Sequence, residues 1–186
     1  RLLAYVDTLR SLPLTELNEL DLDTMFGRHS QLHDPGVYDF DNEWFATTRG
    51  AKVFHQVSRD RLHAIQTALA HIPLSGEVTS ADYNAFVSDY RQVFSGYTVN
   101  STEGEKAPLF PATRLLAMRR PDQFVALSAS KIDAYCQGLA IAKLHPQDFD
   151  GYFNELILTL RTTAWWRHAE PELAEEQVIW RHRAIL

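Results

Sequence analysis

The sequence predicts an all-α fold, an irregular multi-helix bundle, and three observations predict it. Apolar residues recur at three- and four-residue intervals through most of the chain. Capping residues stand just ahead of those runs, and Gly or Pro stands just behind them. The 186 residues, 45% hydrophobic and 23% charged, suit a single helical domain spanning 1–186 or two lobes, 1–96 and 106–186, joined through 97–105. The apolar run Phe124–Leu127 is the one local exception, a short extended piece.

Taken in order, Leu2, Val6, Leu9 and Leu12 share a helical face that Pro13 ends. Thr15 is placed to cap a short helix through Leu20, with Asp23 opening a further turn. The stretch 27–40, GRHSQLHDPGVYDF, holds Gly, Pro and Asp where turns favour them and reads as a loop. Asp41 is expected to cap a helix carrying Trp44, Phe45, Ala51, Val53 and Phe54, with Gly50 inside it marking a kink or close packing. Ser58 opens a helix in which Leu62, Ile65, Leu69 and Ile72 recur before Pro73. Thr79, with Asp82 three residues on, forms a capping-box pattern ahead of Tyr83, Phe86, Val87, Tyr90, Val93 and Phe94, and Gly96 closes that element.

Beyond the polar stretch 97–105, Pro111 suits the first turn of a helix holding Leu115, Leu116 and Met118, which stops before Pro121. Ser128 or Ser130 is expected to cap a helix through Gln137, with Gly138 at its C-terminal cap. Asp148 starts an amphipathic helix with Phe149, Tyr152, Phe153, Leu156, Ile157 and Leu160. A last helix runs from Pro171 to the end, with Leu173, Val178, Ile179 and Ile185 apolar. The chain opens on Arg1 rather than Met and still reads as helix at Ile185–Leu186, so a fragment of a longer protein is expected.

The net charge of −6 is unevenly placed. Residues 1–45 hold nine acids and three bases, whereas 106–143 hold six bases against Asp122 and Asp133. An acidic lobe and a basic middle are able to face different partners, and solvated helix faces are the plainer alternative. Apolar runs such as Leu156–Ile157–Leu158 fall far short of the ~20 residues a membrane span needs. A lone cysteine, Cys136, rules out an internal disulfide framework and points to a cytoplasmic location.

Catalytic and metal motifs are not found. His29 and His33 stand four apart with Asp34 beside them, but in a loop, and Ser30 occupies the place where a metalloprotease helix carries its Glu. His55, His63 and His71 sit among surface-type residues and are expected to titrate in water; His168 and His182 are expected to pack or to pair with acids. Cys136 lies mid-helix and reads as a buried structural thiol. No serine stands in a nucleophile elbow. Gly104–Glu105–Lys106 lacks the earlier glycine and the hydroxyl of a phosphate loop. The acids Asp21 and Asp23, and Asp39, Asp41 and Glu43, are explained by helix entry and capping. No cofactor is implied.

The nucleic-acid reading rests on Arg114, Arg119, Arg120 and Lys131, flanked by Lys106 and Lys143, because guanidinium and ammonium groups neutralise phosphates. Arg119 and Arg120, just before Pro121, are expected to reach solvent at a helix end. Trp165, Trp166 and Arg167 are able to stack on single-strand bases, although core packing is the expected role of adjacent tryptophans.

Residues 113–127, TRLLAMRRPDQFVAL, followed by SASKIDAYCQGLAI at 128–141, resemble helical regions of bacterial restriction and anti-phage defence proteins of the McrB-associated type. There a basic LL-x-x-x-x-P-(D/E)-x-F helix end precedes a short extended piece and a serine-started helix. The tail, TTAWWRHAEP with EEQVIWRHRAIL, is similar to a tryptophan-rich pattern in the same proteins. The resemblance implies a defence context and no reaction. The expectation is a non-catalytic helical module binding DNA, or other subunits of a defence complex, through its basic middle. A structural interaction domain without DNA binding is the alternative. A metal-dependent hydrolase or nuclease built on Asp39, Asp41, Glu43 and His33 stands third.

Overall fold

A computed structural model describes residues 2–28, 45–48, 50–98 and 106–184; among them every regular element is a helix and none is a strand. Helix α1 spans Leu2–Ser11, a 3-10 turn Leu14–Glu16, and α2 Glu19–Phe26. Helix α3 spans Lys52–Asp60, α4 Leu62–Ala70 and α5 Ser80–Phe94. Helix α6 spans Leu109–Arg119 and α7 Ile132–Gly138. Helix α8 occupies 149–160, and α9 spans Ala174–Arg181.

The hub is α6. Every residue from Leu109 to Met118 except Phe110 is buried, with α1, α2 and α4 packed around it. A helix apolar on all sides belongs in a core. Pro111 lies in its first turn, where no hydrogen bond is lost, and the helix ends at Arg119 before Pro121.

Helix α5 begins at the expected capping box, with Thr79 and Asp82 exchanging hydrogen bonds. One face packs along α4; the other carries an aromatic cluster into the second half of the chain. Tyr83 stacks on Phe153 with centroids 4.4 Å apart and donates to the Phe149 carbonyl at 2.8 Å. Phe124 and Tyr152 complete the cluster. One hydrophobic core therefore draws on residues from both sides of position 100.

Asp148 starts α8 as expected, accepting from the Gly151 amide at 2.7 Å. A β-carbon at Gly151 would collide with that carboxylate, so the close cap requires glycine here. Tyr152–Ile157 winds as a π-helix, and the added residue per turn widens the buried stripe to Tyr152, Phe153, Leu156 and Ile157.

Several boundaries differ from the sequence expectation. Asn18, not Thr15, caps α2, and Asp23 lies inside that helix rather than opening a turn. The helix expected from Asp41 begins at Lys52; Phe45–Thr48 is not helical, and Asp41 and Trp44 lie outside the described residues. Gly50 sits in a turn ahead of the helix with open space around it, so neither a kink nor close packing explains it. Ser58 lies within α3, and the break falls at Arg61. Neither Ser128 nor Ser130 caps α7 with its side chain; the Ser128 carbonyl receives the Lys131 and Ile132 amides instead. Gly138 is the last helical residue of α7, and the left-handed position falls to Ala140. The Phe124–Leu127 run forms neither helix nor strand; its Leu127 amide donates to Thr113 Oγ1 and its Val125 carbonyl accepts from the Tyr152 hydroxyl.

Candidate functional site

The four basic residues read as a nucleic-acid face do not share one. Arg114 is wholly buried. Its guanidinium donates to the carbonyls of Thr24, Met25, Phe45 and Ala46, the last at 2.6 Å. Thr24 and Met25 lie in the last turn of α2, so a cation there complements the helix dipole as well as its open carbonyls. Gly27, left-handed at φ 68°, makes the fit possible; a β-carbon there would stand 2.6 Å from Arg114 Nε.

Arg119 and Arg120 do not project into solvent as expected. Arg119 is half-buried and donates to the Ile72 and Arg10 carbonyls. Arg120 is 2% exposed; it grips both carboxylate oxygens of Asp122 at 2.7 Å and donates to the Pro73 and Gly76 carbonyls. The turn after α4 and the end of α1 fold back over this end of α6, and their carbonyls need the donors. Lys131 is exposed on the far side of the Phe124–Leu127 segment, at the start of α7. As placed, Arg114 and Arg120 join elements and offer no free face to a phosphate.

Histidine places itself unevenly. His63 is exposed, and His71 pairs with Asp89 at 2.7 Å. His55, expected in water, is half-buried with Nε2 2.9 Å from the Thr48 carbonyl, and burial holds its pKa below the usual 6.5. His182 is 1% exposed, with Nδ1 on the Val178 carbonyl and Nε2 3.4 Å from the Asp7 carboxylate. Cys136 is buried and unpaired, as expected. Asp21 receives the Tyr5 hydroxyl and Asp23 pairs with Arg28. Among the described residues no three His, Cys, Asp or Glu side chains gather closely enough to hold a metal ion. His29, His33, Asp34, Asp39, Asp41 and Glu43 lie outside those residues.

The feature the sequence did not reveal is made by the tail. After α8 the chain turns at 161–167, and α9 lies against the body without burying one residue of its own length. A few locks hold it. Arg183 sits over both Trp166 and Trp180, at 4.6 and 4.0 Å from the ring centroids, and donates to the Trp180 carbonyl. Trp180 Nε1 donates to the His168 carbonyl, and the Ala184 amide to that of Pro121. His182 anchors the end against α1.

Between this arm and the body runs an open cleft of about 840 Å³. Val125, Leu156 and Leu160 form its floor, Tyr135 and Leu139 one wall, and Trp165, Ile179 and Trp180 the other. Apolar surface continues outward, since Leu173 is 64% exposed, Ile179 57% and Trp165 48%. Trp165 is thus not the core residue that adjacent tryptophans were expected to be. The acids on the arm, Glu172, Glu175 and Glu176, form no ion pair with any described residue, and Glu176 lines the cleft. Concave apolar walls with few polar groups are the general form of a binding site.

Comparison of the chain with protein-family models, with curated proteins and with solved structures finds no match.

Proposed function

We propose that this domain is a non-catalytic binding module that receives an apolar helical segment of a partner protein, flanked by Lys or Arg, in the cleft beneath α9. The observation that carries the reading is the arm itself, whose apolar side chains face the cleft and the solvent beside it rather than the core. An exposed apolar surface of this kind marks an interaction site. Helix-in-groove recognition fits its shape, with anchors at i, i+3 and i+4 entering between Leu139 and Ile179. The choice of a basic partner follows from the rim. Glu175 and Glu176 lie in the first turn of α9 and Glu172 just ahead of it, so complementary charge fixes orientation and suppresses acidic competitors.

The test is a titration of the domain with a synthetic Leu/Lys amphipathic helix, read by tryptophan fluorescence. Saturable binding is expected, with a Leu/Glu peptide of identical apolar pattern weaker by about tenfold, which is ~1.4 kcal/mol. Gly138→Trp should block the cleft without unfolding the domain, because the space around Gly138 is open. Equal binding of the two peptides, or binding unchanged by G138W, overturns the reading.

Membership of a bacterial restriction or anti-phage defence system is a separate proposal, and the resemblance of 113–141 and of the tryptophan-rich tail is what supports it. Phage plating on hosts with and without the full-length gene tests it; identical plating across a broad phage panel counts against it.

A further inference from the structure

Next to the cleft, and sharing Trp180 and Arg183 with it, lies a second recess of about 340 Å³, where the end of α1, the turn after α4, the end of α6 and the arm meet. Four arginines line it, Arg10, Arg120, Arg181 and Arg183, against one carboxylate, Asp122. Asp122 is already held by both of its oxygens on Arg120. Arg10 engages Asp7 through Nε at 2.7 Å, and Arg181, 56% exposed, stands 3.9 Å from Glu170. Arg183 has no carboxylate within 4.0 Å among the described residues. Its charge rests on two indole faces and one carbonyl, and its Nε is a buried donor without an acceptor. Burial also holds this guanidinium below the usual arginine range, with the Arg120 charge adding to the effect and the Asp122 and Glu170 charges opposing it. The recess thus concentrates positive charge in a chain whose net charge is −6.

We infer that this recess binds a phosphate ester, with Arg10, Arg181 and Arg183 as its cationic donors. Three forked guanidinium groups, one from α1 and two from the arm, suit a tetrahedral oxyanion, which offers each fork its own oxygen; a carboxylate offers only two. A concave wall focuses their field on the ligand. The Trp180 ring in the same wall supplies apolar surface for the organic part of the ester, which inorganic phosphate would leave uncovered. Ser75, exposed at the mouth and making no hydrogen bond to a described residue through its side chain, adds a neutral donor. The ester is a single nucleotide or a phosphate of a nucleic-acid strand, and the chemistry of the recess serves both.

Calorimetric titration at low salt with pyrophosphate, AMP and a single-stranded oligonucleotide tests the inference. AMP or the oligonucleotide should bind saturably. Ser75→Asp, which places a carboxylate at the mouth, should weaken that binding by about tenfold or more without shifting the melting temperature. Arg181→Gln should weaken it less. Oligonucleotide binding that is tighter than that of AMP, with a steeper loss on adding salt, assigns the ester to a strand; equal affinities assign it to a single nucleotide. G138W, which fills the cleft at a residue that does not line this recess, should bind phosphate esters as wild type does, so failure of the peptide reading and failure of this one are told apart. No saturable binding of any of the three probes, pyrophosphate bound better than either ester, or wild-type affinity in S75D, overturns it.

Discussion

A single arginine in a sequence carries no mark of the side on which it will lie, and Arg114, Arg119 and Arg120 show why. Successive residues turn an α-helix by about 100°, so Arg114 and Arg119 point roughly 140° apart, and Arg120, the C-cap, leaves the helix at φ -138°. Around a helix buried on all sides, each then meets a different neighbour: Arg114 the end of α2, Arg119 the ends of α1 and α4, Arg120 the turn beyond α4. The legible sign of this was the company Arg114 keeps, since Leu115, Leu116, Ala117 and Met118 leave no polar face for a surface helix. Arg114 donates to four carbonyls, one of which, that of Thr24, also receives the Gly27 amide. Arg114→Met, of similar length but without donors, should therefore destabilise the domain by at least about 3 kcal/mol, the scale of stranding several buried polar groups. Urea denaturation measures it, and a loss below ~1 kcal/mol would show that water replaces the guanidinium at little cost.

Among the elements, those with a periodic stripe and a chemical cap were legible: α5 with its Thr79–Asp82 box, α6 with Pro111 inside and Pro121 beyond, α8 behind Asp148. Elements ended by packing alone were not. Nothing in KVFHQVSRDRLHAI marks a break at Arg61, whose guanidinium instead reaches across to the Val93 and Ser95 carbonyls at the end of α5. The arm failed for a different reason. Leu173, Val178 and Ile179 have the same periodicity whether they face a core or a partner, so pattern alone reads them as buried. A signal was nonetheless present in EPELAEEQ. Four of its eight residues are acids, and two of them, Glu175 and Glu176, fall in the first turn of α9, more charge than a core helix carries. The resemblance motif turns out to encode a joint: Leu115 and Leu116 in the core, the Arg120–Asp122 fork at the bend, and Phe124 in the aromatic cluster.

At the scale of the whole molecule one core joins both halves of the chain, so groups in distant elements act on one unfolding equilibrium. Three sets of them link that equilibrium to pH. Burial holds His55 below its usual 6.5, so the unfolded chain takes up a proton more readily there than the folded one. Its contribution is complete above about 6.5 and is lost as pH falls towards the folded value. Asp122 follows at lower pH. Burial alone would raise its carboxyl, but the Arg120 hydrogen bonds and charge, with the Gln123 amide, outweigh that and hold it below the usual 3.8. Its contribution is complete above 3.8 and is lost as pH falls further. At the alkaline end Tyr83, Tyr90 and Tyr152 are pushed well above the usual 10 by burial, so what they contribute is complete below 10 and is lost as pH rises beyond it. The stability of the domain should therefore be highest between about pH 6.5 and 10 and fall in two stages on the acid side. Urea midpoints measured from pH 3 to 11 check this, and His55→Gln isolates the first stage. The variant should be less stable than wild type at pH 8, and the gap should narrow as pH falls below 6.5. A gap that stays constant, or widens, from pH 8 to pH 5 would mean that the His55 imidazole keeps its proton affinity on folding, and that its contact with Thr48 holds the charged form as well as the neutral one.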